Sequence, residues 1–237
     1  MAVPENRYWN VRLLPTDAPD YIAFRRRMAD RRPSRGGPRA SGEVLGGKVE
    51  RAIQHWLAKF VILDTDRILT YDQRNEYNGR VSTLYRELDG VWKIDDVSLC
   101  VYEIKLTYAA RMENGAGLKQ LQTAEEILYA SGKYEYVLKR MVYVAEERVT
   151  VLDGIEAVEP DDECAELGVI WVPPIELLAA AAELEIELPE NWLEPESREG
   201  HVEDPEREEW RQFAGDEETS SNPMAEALKK LLPPEEN

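Results

Sequence analysis

Histidine and cysteine are almost missing from this chain of 237 residues, which holds two of each: His55 and His201, Cys100 and Cys164. Cysteines 64 positions apart offer no zinc or iron–sulfur ligand spacing. They read as buried thiols of a reducing compartment rather than a disulfide. His55 follows Glu50 by five residues, a poor helical spacing for a shared metal ion. No apolar run approaches the length of a bilayer span. The first residues, MAVPENRYWN, lack the charged-then-apolar layout of a signal peptide. These absences lead to the expectation of a cytoplasmic protein with no membrane partner. Zincin, esterase and Rossmann signatures are missing too. The stretch GEVLGGKV, residues 42–49, nearly spells a phosphate-binding loop, but Val49 stands where the magnesium-ligating hydroxyl belongs. Its glycines are expected instead to let a helix start come close to a backbone or a phosphate.

Acid is what the chain has in excess, with a formal charge of −18. The excess is segregated. From Val151 to the end there are 26 Asp and Glu against 5 Lys and Arg, so residues 1–150 carry +3. Within that part, Arg25, Arg26, Arg27, Arg31, Arg32, Arg35 and Arg39 crowd into one stretch that reads as a loop or arm, given Pro33, Gly36, Gly37 and Pro38. Such a cluster suits phosphate contacts without sequence reading. The acidic end is expected to be solvated, or to dock on a protein partner or back on the chain. Three segments follow: an N-terminal strand with the arginine-rich segment (1–41), an α/β core (42–172) and an acidic extension with short helices (173–237).

Hydrophobic periodicity predicts the elements. Tyr8 to Leu14 reads as a strand, and Glu43 to Val61 as a helix whose apolar stripe is Leu45, Val49, Ile53, Trp56 and Phe60. Ile68 to Arg74, Ser82 to Ile94 and Val97 to Thr107 read as strands, the last two joined by a turn at Asp95-Asp96. Gly115 to Ala130 is predicted helical, Leu138 to Val144 and Gly168 to Val172 extended, and Pro174 to Leu184 and Asn222 to Leu232 helical. The pattern is mixed α/β: a central sheet flanked by helices.

One strand carries an anomaly. VYEIKL, residues 101–106, places Glu103 and Lys105 on one face of an otherwise apolar run. A hairpin turning at Asp95-Asp96 brings Asp89 beside Glu103. Neighbouring carboxylates raise one another's pKa unless a cation sits between them, and a hard divalent ion suits such oxygen ligands. An adjacent lysine then orients the attacking water and offsets the growing charge. This set suits hydrolysis of a phosphodiester.

These residues resemble the PD-(D/E)xK nuclease superfamily, whose motif is an acid on one strand and Glu/Asp-x-Lys on the next. RELDG supplies Asp89, and YEIKL supplies Glu103 and Lys105. GGKVERAIQHWL offers Glu50 at the place of a helical glutamate that members often carry. LKQLQTAEE offers Gln120, as in the RecB-like branch, although Ala124 stands where that branch has tyrosine and Leu88 stands where the motif has proline. The likeness runs from about Gly46 to Val144. It implies a restriction-endonuclease-like fold and a deoxyribonuclease dependent on Mg²⁺ or Mn²⁺. Asp89, Glu103, Glu50 and the Ile104 carbonyl would hold the ion, Lys105 would place the water, and Gln120 would orient Lys105 or a phosphate. DNA is the implied partner, the same chemistry also serving RNA, and Arg25, Arg26, Arg27, Arg31, Arg32 and Arg35 would grip its backbone. Exonucleolytic and endonucleolytic cutting both fit. The competing class is a catalytically inactive protein of the same fold that binds nucleic acid or a partner.

Overall fold

A computed structural model describes residues 7–31, 41–75, 78–105, 115–144, 155–189 and 192. The architecture is mixed α/β with two sheets and flanking helices. β1 (Tyr8–Pro15), β2 (Asp66–Arg74) and β3 (Val81–Glu87) form an antiparallel sheet in that order. The second sheet contains β4 (Gly90–Lys93), β5 (Ser98–Lys105), β6 (Tyr136–Val144), β7 (Glu156–Ala157) and β8 (Leu167–Val172), in the spatial order β4-β5-β6-β8-β7. β4 runs antiparallel to β5, and every other pairing in this sheet is parallel.

Both faces of the larger sheet are covered, which is why β5, β6 and β8 read as nearly continuous apolar runs. On one face, Cys100, Tyr102, Leu138, Val142, Ile170 and Val172 pack under α2 (Ser41–Leu57) and α4 (Pro174–Glu183). On the other, Leu99, Val101, Val137, Met141, Tyr143 and Val169 meet α3 (Gly115–Ala130) together with Tyr8, Leu69 and Tyr71 of the smaller sheet. Glu103 and Lys105 point to this second face, between the sheets and α3.

Several expectations need correction. The arginine-rich stretch is helical up to Arg31, as α1 (Pro19–Arg31). Its glycines and prolines begin only at Pro33, and Tyr21 and Phe24, one turn apart, bury against Ile68, Leu14 and Tyr85. Arg25, Arg26 and Arg27 are exposed on it, whereas Arg32, Arg35 and Arg39 lie outside the described residues. The expected strand Ser82 to Ile94 is two strands in two sheets. At the break Leu88 donates its N–H to the Arg67 carbonyl (2.9 Å), and Gln54 Nε2 takes the Asp89 carbonyl (2.7 Å). Alternation persists across the break, so the pattern does not register the change of sheet. Phe60 falls beyond the end of α2 and is 46% exposed. Gly46 and Gly47 lie inside α2, which rules out a phosphate-binding loop, and a Cβ at either would meet nothing within 4 Å, so neither is needed for a close approach to another described backbone. Both thiols are free, but only Cys100 is buried; Cys164 is exposed.

The ends of the expected core are tied to it. β1 pairs with β2, α4 packs on α2 through Trp56 Nε1 to Glu176 Oε2 (2.6 Å), and Trp192 joins the same apolar cluster. The segment Asn222 to Leu232 and the rest of the acidic end after Trp192 lie outside the described residues. Among the described residues no helix is long and apolar enough to cross a membrane.

Candidate active site

The hairpin of β4 and β5 builds the site. Asp95 Oδ1 accepts the N–H groups of Val97 (2.8 Å) and Ser98 (2.7 Å), which closes the turn. From there the register runs Lys93 with Leu99, Trp92 with Cys100, Val91 with Val101 and Gly90 with Tyr102. The register ends there, and Asp89 directly precedes Gly90. Asp89 Oδ2 accepts the Ile104 N–H at 2.7 Å, which fixes the carboxylate against β5. Gly90 permits this approach, because a Cβ there would lie 3.3 Å from Tyr102 Cβ.

Glu103 is 8% exposed and accepts a hydrogen bond from Lys105 Nζ through its Oε1. The same ammonium donates to Gln120 Oε1 at 3.0 Å, so α3 contributes directly. α3 reaches β5 closely because residue 117 is glycine. A Cβ there would stand 2.7 Å from Met141 Cε and 2.8 Å from Lys105 Cε. The expected residues Asp89, Glu103, Lys105 and Gln120 are therefore brought together.

Glu50 is near but engaged elsewhere. Its Oε1 accepts from Gln54 Nε2 (2.9 Å), and Arg67 Nη1 lies at 3.6 Å. Arg67 also pairs with Glu87 (2.8 Å), whose other oxygen accepts the Tyr21 hydroxyl (2.9 Å). This chain of contacts ties the arginine-bearing helix α1 to the edge of the site.

Acid crowding shows in the electrostatics. Burial raises the Asp89 carboxyl well above the usual carboxylate range, and Glu103 and Glu50 push it further up, against the Ile104 N–H and Lys105. Burial also raises Glu50, helped by Glu87 and Glu103 and opposed by Arg67 and Gln54. Burial lowers the Arg86 guanidinium, while Glu103, Tyr71 and Asp89 act to keep it charged. Among the described residues no hydrogen bond reaches Asp89 Oδ1 or Glu103 Oε2. Two unused carboxylate oxygens on paired segments, with negative charge left over, make a donor set that fits a hard divalent cation. No set of three or more His, Cys, Asp or Glu side chains converges as a metal-holding group among the described residues.

Sequence reasoning missed four participants. Gln54 holds both Glu50 and the Asp89 carbonyl, and its signal was the four-residue spacing on one helix face. Arg67 fixes Leu88, donating to its carbonyl at 2.9 Å. The Leu88 N–H is itself used, a bond that a proline in that place would lack. Arg86 sits on the face of β3 that Leu84 shares with the core, and an arginine in an apolar alternation was the clue. Gly117 gave no signal, since its need for glycine depends on what packs above it. Compared with family models, curated proteins and solved structures, the chain matches none of them.

Proposed function

We propose that this chain is a divalent-metal-dependent nuclease of restriction-endonuclease-like fold that hydrolyses phosphodiester bonds in DNA. One observation carries the reading. Asp89 is fixed to the Ile104 N–H, next in the chain to Glu103, with the Lys105 ammonium bridging from Glu103 to Gln120. Asp89, Glu103 and the Ile104 carbonyl would hold Mg²⁺ or Mn²⁺, and Glu50 adds negative charge at the same place. A bound ion would supply Lewis acidity toward the phosphate and acidify a water. Lys105, positioned by Gln120, would place that water and offset charge as the phosphorus becomes pentavalent. Arg25, Arg26 and Arg27, exposed on α1, would hold the strand by its phosphates.

A second reading is favoured by a different observation: Lys105 closes onto Glu103, and among the described residues no three acids converge. In that reading the chain binds nucleic acid without cutting it. Cleavage of linear and single-stranded DNA with Mn²⁺ decides between them. Glu103→Gln and Lys105→Met are each expected to lower the rate by about a hundredfold or more with circular dichroism unchanged. Equal cutting by wild type and both variants removes the mechanism, and absence of cutting by the wild type favours the second reading.

A further inference from the structure

At the carboxyl ends of the parallel strands three side chains form a row. Lys105 on β5 is in register with Tyr143 on β6, which is in register with Trp171 on β8. The two rings pack at 5.5 Å between centroids and 32° between planes. Tyr143 is fully buried. Its hydroxyl and the Trp171 indole Nε1 are both buried without a hydrogen-bond partner. Among the described residues the remaining buried orphan, Arg140 Nε, is on the opposite face, and its guanidinium is already anchored by bonds to the carbonyls of Lys139 (2.9 Å) and Asp162 (2.7 Å). Tyr143 and Trp171 have no such anchor.

Buried donors without acceptors are rare in native proteins, and each calls for an explanation. An indole N–H only donates, so Trp171 calls for an acceptor, whereas the Lys105 ammonium at the end of the row already has Glu103 Oε1 and Gln120 Oε1. Glu103 does not serve Tyr143 in this arrangement. Burial and the Glu103 charge instead raise the phenol, which therefore stays protonated as a donor. An oxyanion with acceptor oxygens in several directions suits two orphan donors on packed rings better than a planar amide does.

We propose that Lys105, Tyr143 and Trp171 form a subsite that receives a phosphate group of the bound strand; this rests on the nuclease reading for its choice of ligand. Tyr143 and Trp171 are positioning residues that set how the strand lies against Lys105.

The test follows the Trp171 indole ¹⁵N–H resonance, assigned with Trp171→Phe, while metal-free protein is titrated with inorganic phosphate and then with a deoxyoctanucleotide. Both probes should shift it. Tyr143→Phe should weaken phosphate binding about tenfold, as expected for a hydrogen bond to a charged group. It should raise KM for the octanucleotide more than it lowers kcat, and melt no lower than wild type, since no protein hydrogen bond is lost. An unmoved resonance, unchanged phosphate affinity in Tyr143→Phe, or a melting point several degrees lower would overturn the proposal. A response to phosphate but not to the octanucleotide would overturn the assignment to a strand. Phosphate binding that needs Tyr143, in a protein that cuts nothing with Mn²⁺, would sink the nuclease reading and leave the subsite standing.

Discussion

Asp89 is pressed by burial and by like charge together. Its carboxyl is raised by burial first and by Glu103 and Glu50 next. The unfolded chain releases this proton near the ordinary value of about 3.9. Above that pH, and up to the raised folded value, the native state holds a proton that the unfolded state has lost. Stability attributable to this group therefore falls as pH rises through the window. Asp89→Asn removes the penalty and retains an acceptor for the Ile104 N–H. In metal-free buffer the variant should melt above wild type at pH 7–8, with the gap closing toward pH 4, as followed by thermal melts across pH. A variant that melts lower at pH 8 would show that Asp89 is not strained by its neighbours. Asp89, Glu103 and Lys105 were legible in the sequence because strand alternation and an Asp-Asp turn fix which residues of a hairpin face each other, whereas Gln120, on α3, was offered only by the family resemblance. Arg67 and Arg86 were not legible, because their roles arise from the second sheet, whose approach no local pattern encodes.

α3 packs on β5 through a position where only hydrogen fits. A Cβ at Gly117 would intrude on Met141 Cε and Lys105 Cε, both ends of flexible side chains. Gly117→Ala should therefore displace Lys105 at modest cost to the fold. Crowding of about 1–3 kcal/mol is offset by about 1 kcal/mol of helix propensity. Cleavage is expected to drop by about ten- to a hundredfold, the scale for misplacing a catalytic group, while the melting point moves by only a few degrees. Wild-type activity in this variant would mean that Lys105 position does not limit the reaction. Helices were the more legible elements. α3 matches the periodic reading at both ends, and α2 and α4 differ only at their margins. The failures share a cause. α1 is helical because Tyr21 and Phe24 find a sheet to bury against, and Ser82 to Ile94 breaks because Arg67 and Gln54 seize its backbone. Tertiary contacts settled both.

Charge layout is a property of the whole molecule. Half of the net charge, −9 of −18, follows Trp192. Residues 173–192 of the acidic extension are a different matter, because α4 and Trp192 supply part of the apolar cover of the larger sheet. Composition separated acid from base correctly but gave no sign of where packing ends, since Leu177, Ala180 and Ala181 look no more buried in sequence than the alanines beside them. A protein this acidic binds a polyanion only where cations are concentrated or where a metal ion intervenes. On the proposed reading these are the three exposed arginines of α1 and an ion held by the paired acids of the β4–β5 hairpin. The account stands or falls on those acids sharing one ion. Calorimetric titration with Mn²⁺ tests it directly. Wild type is expected to bind a single ion, and Asp89→Asn and Glu103→Gln to bind it at least about tenfold more weakly. No binding heat in the wild type, or equal affinity in all three proteins, would contradict it.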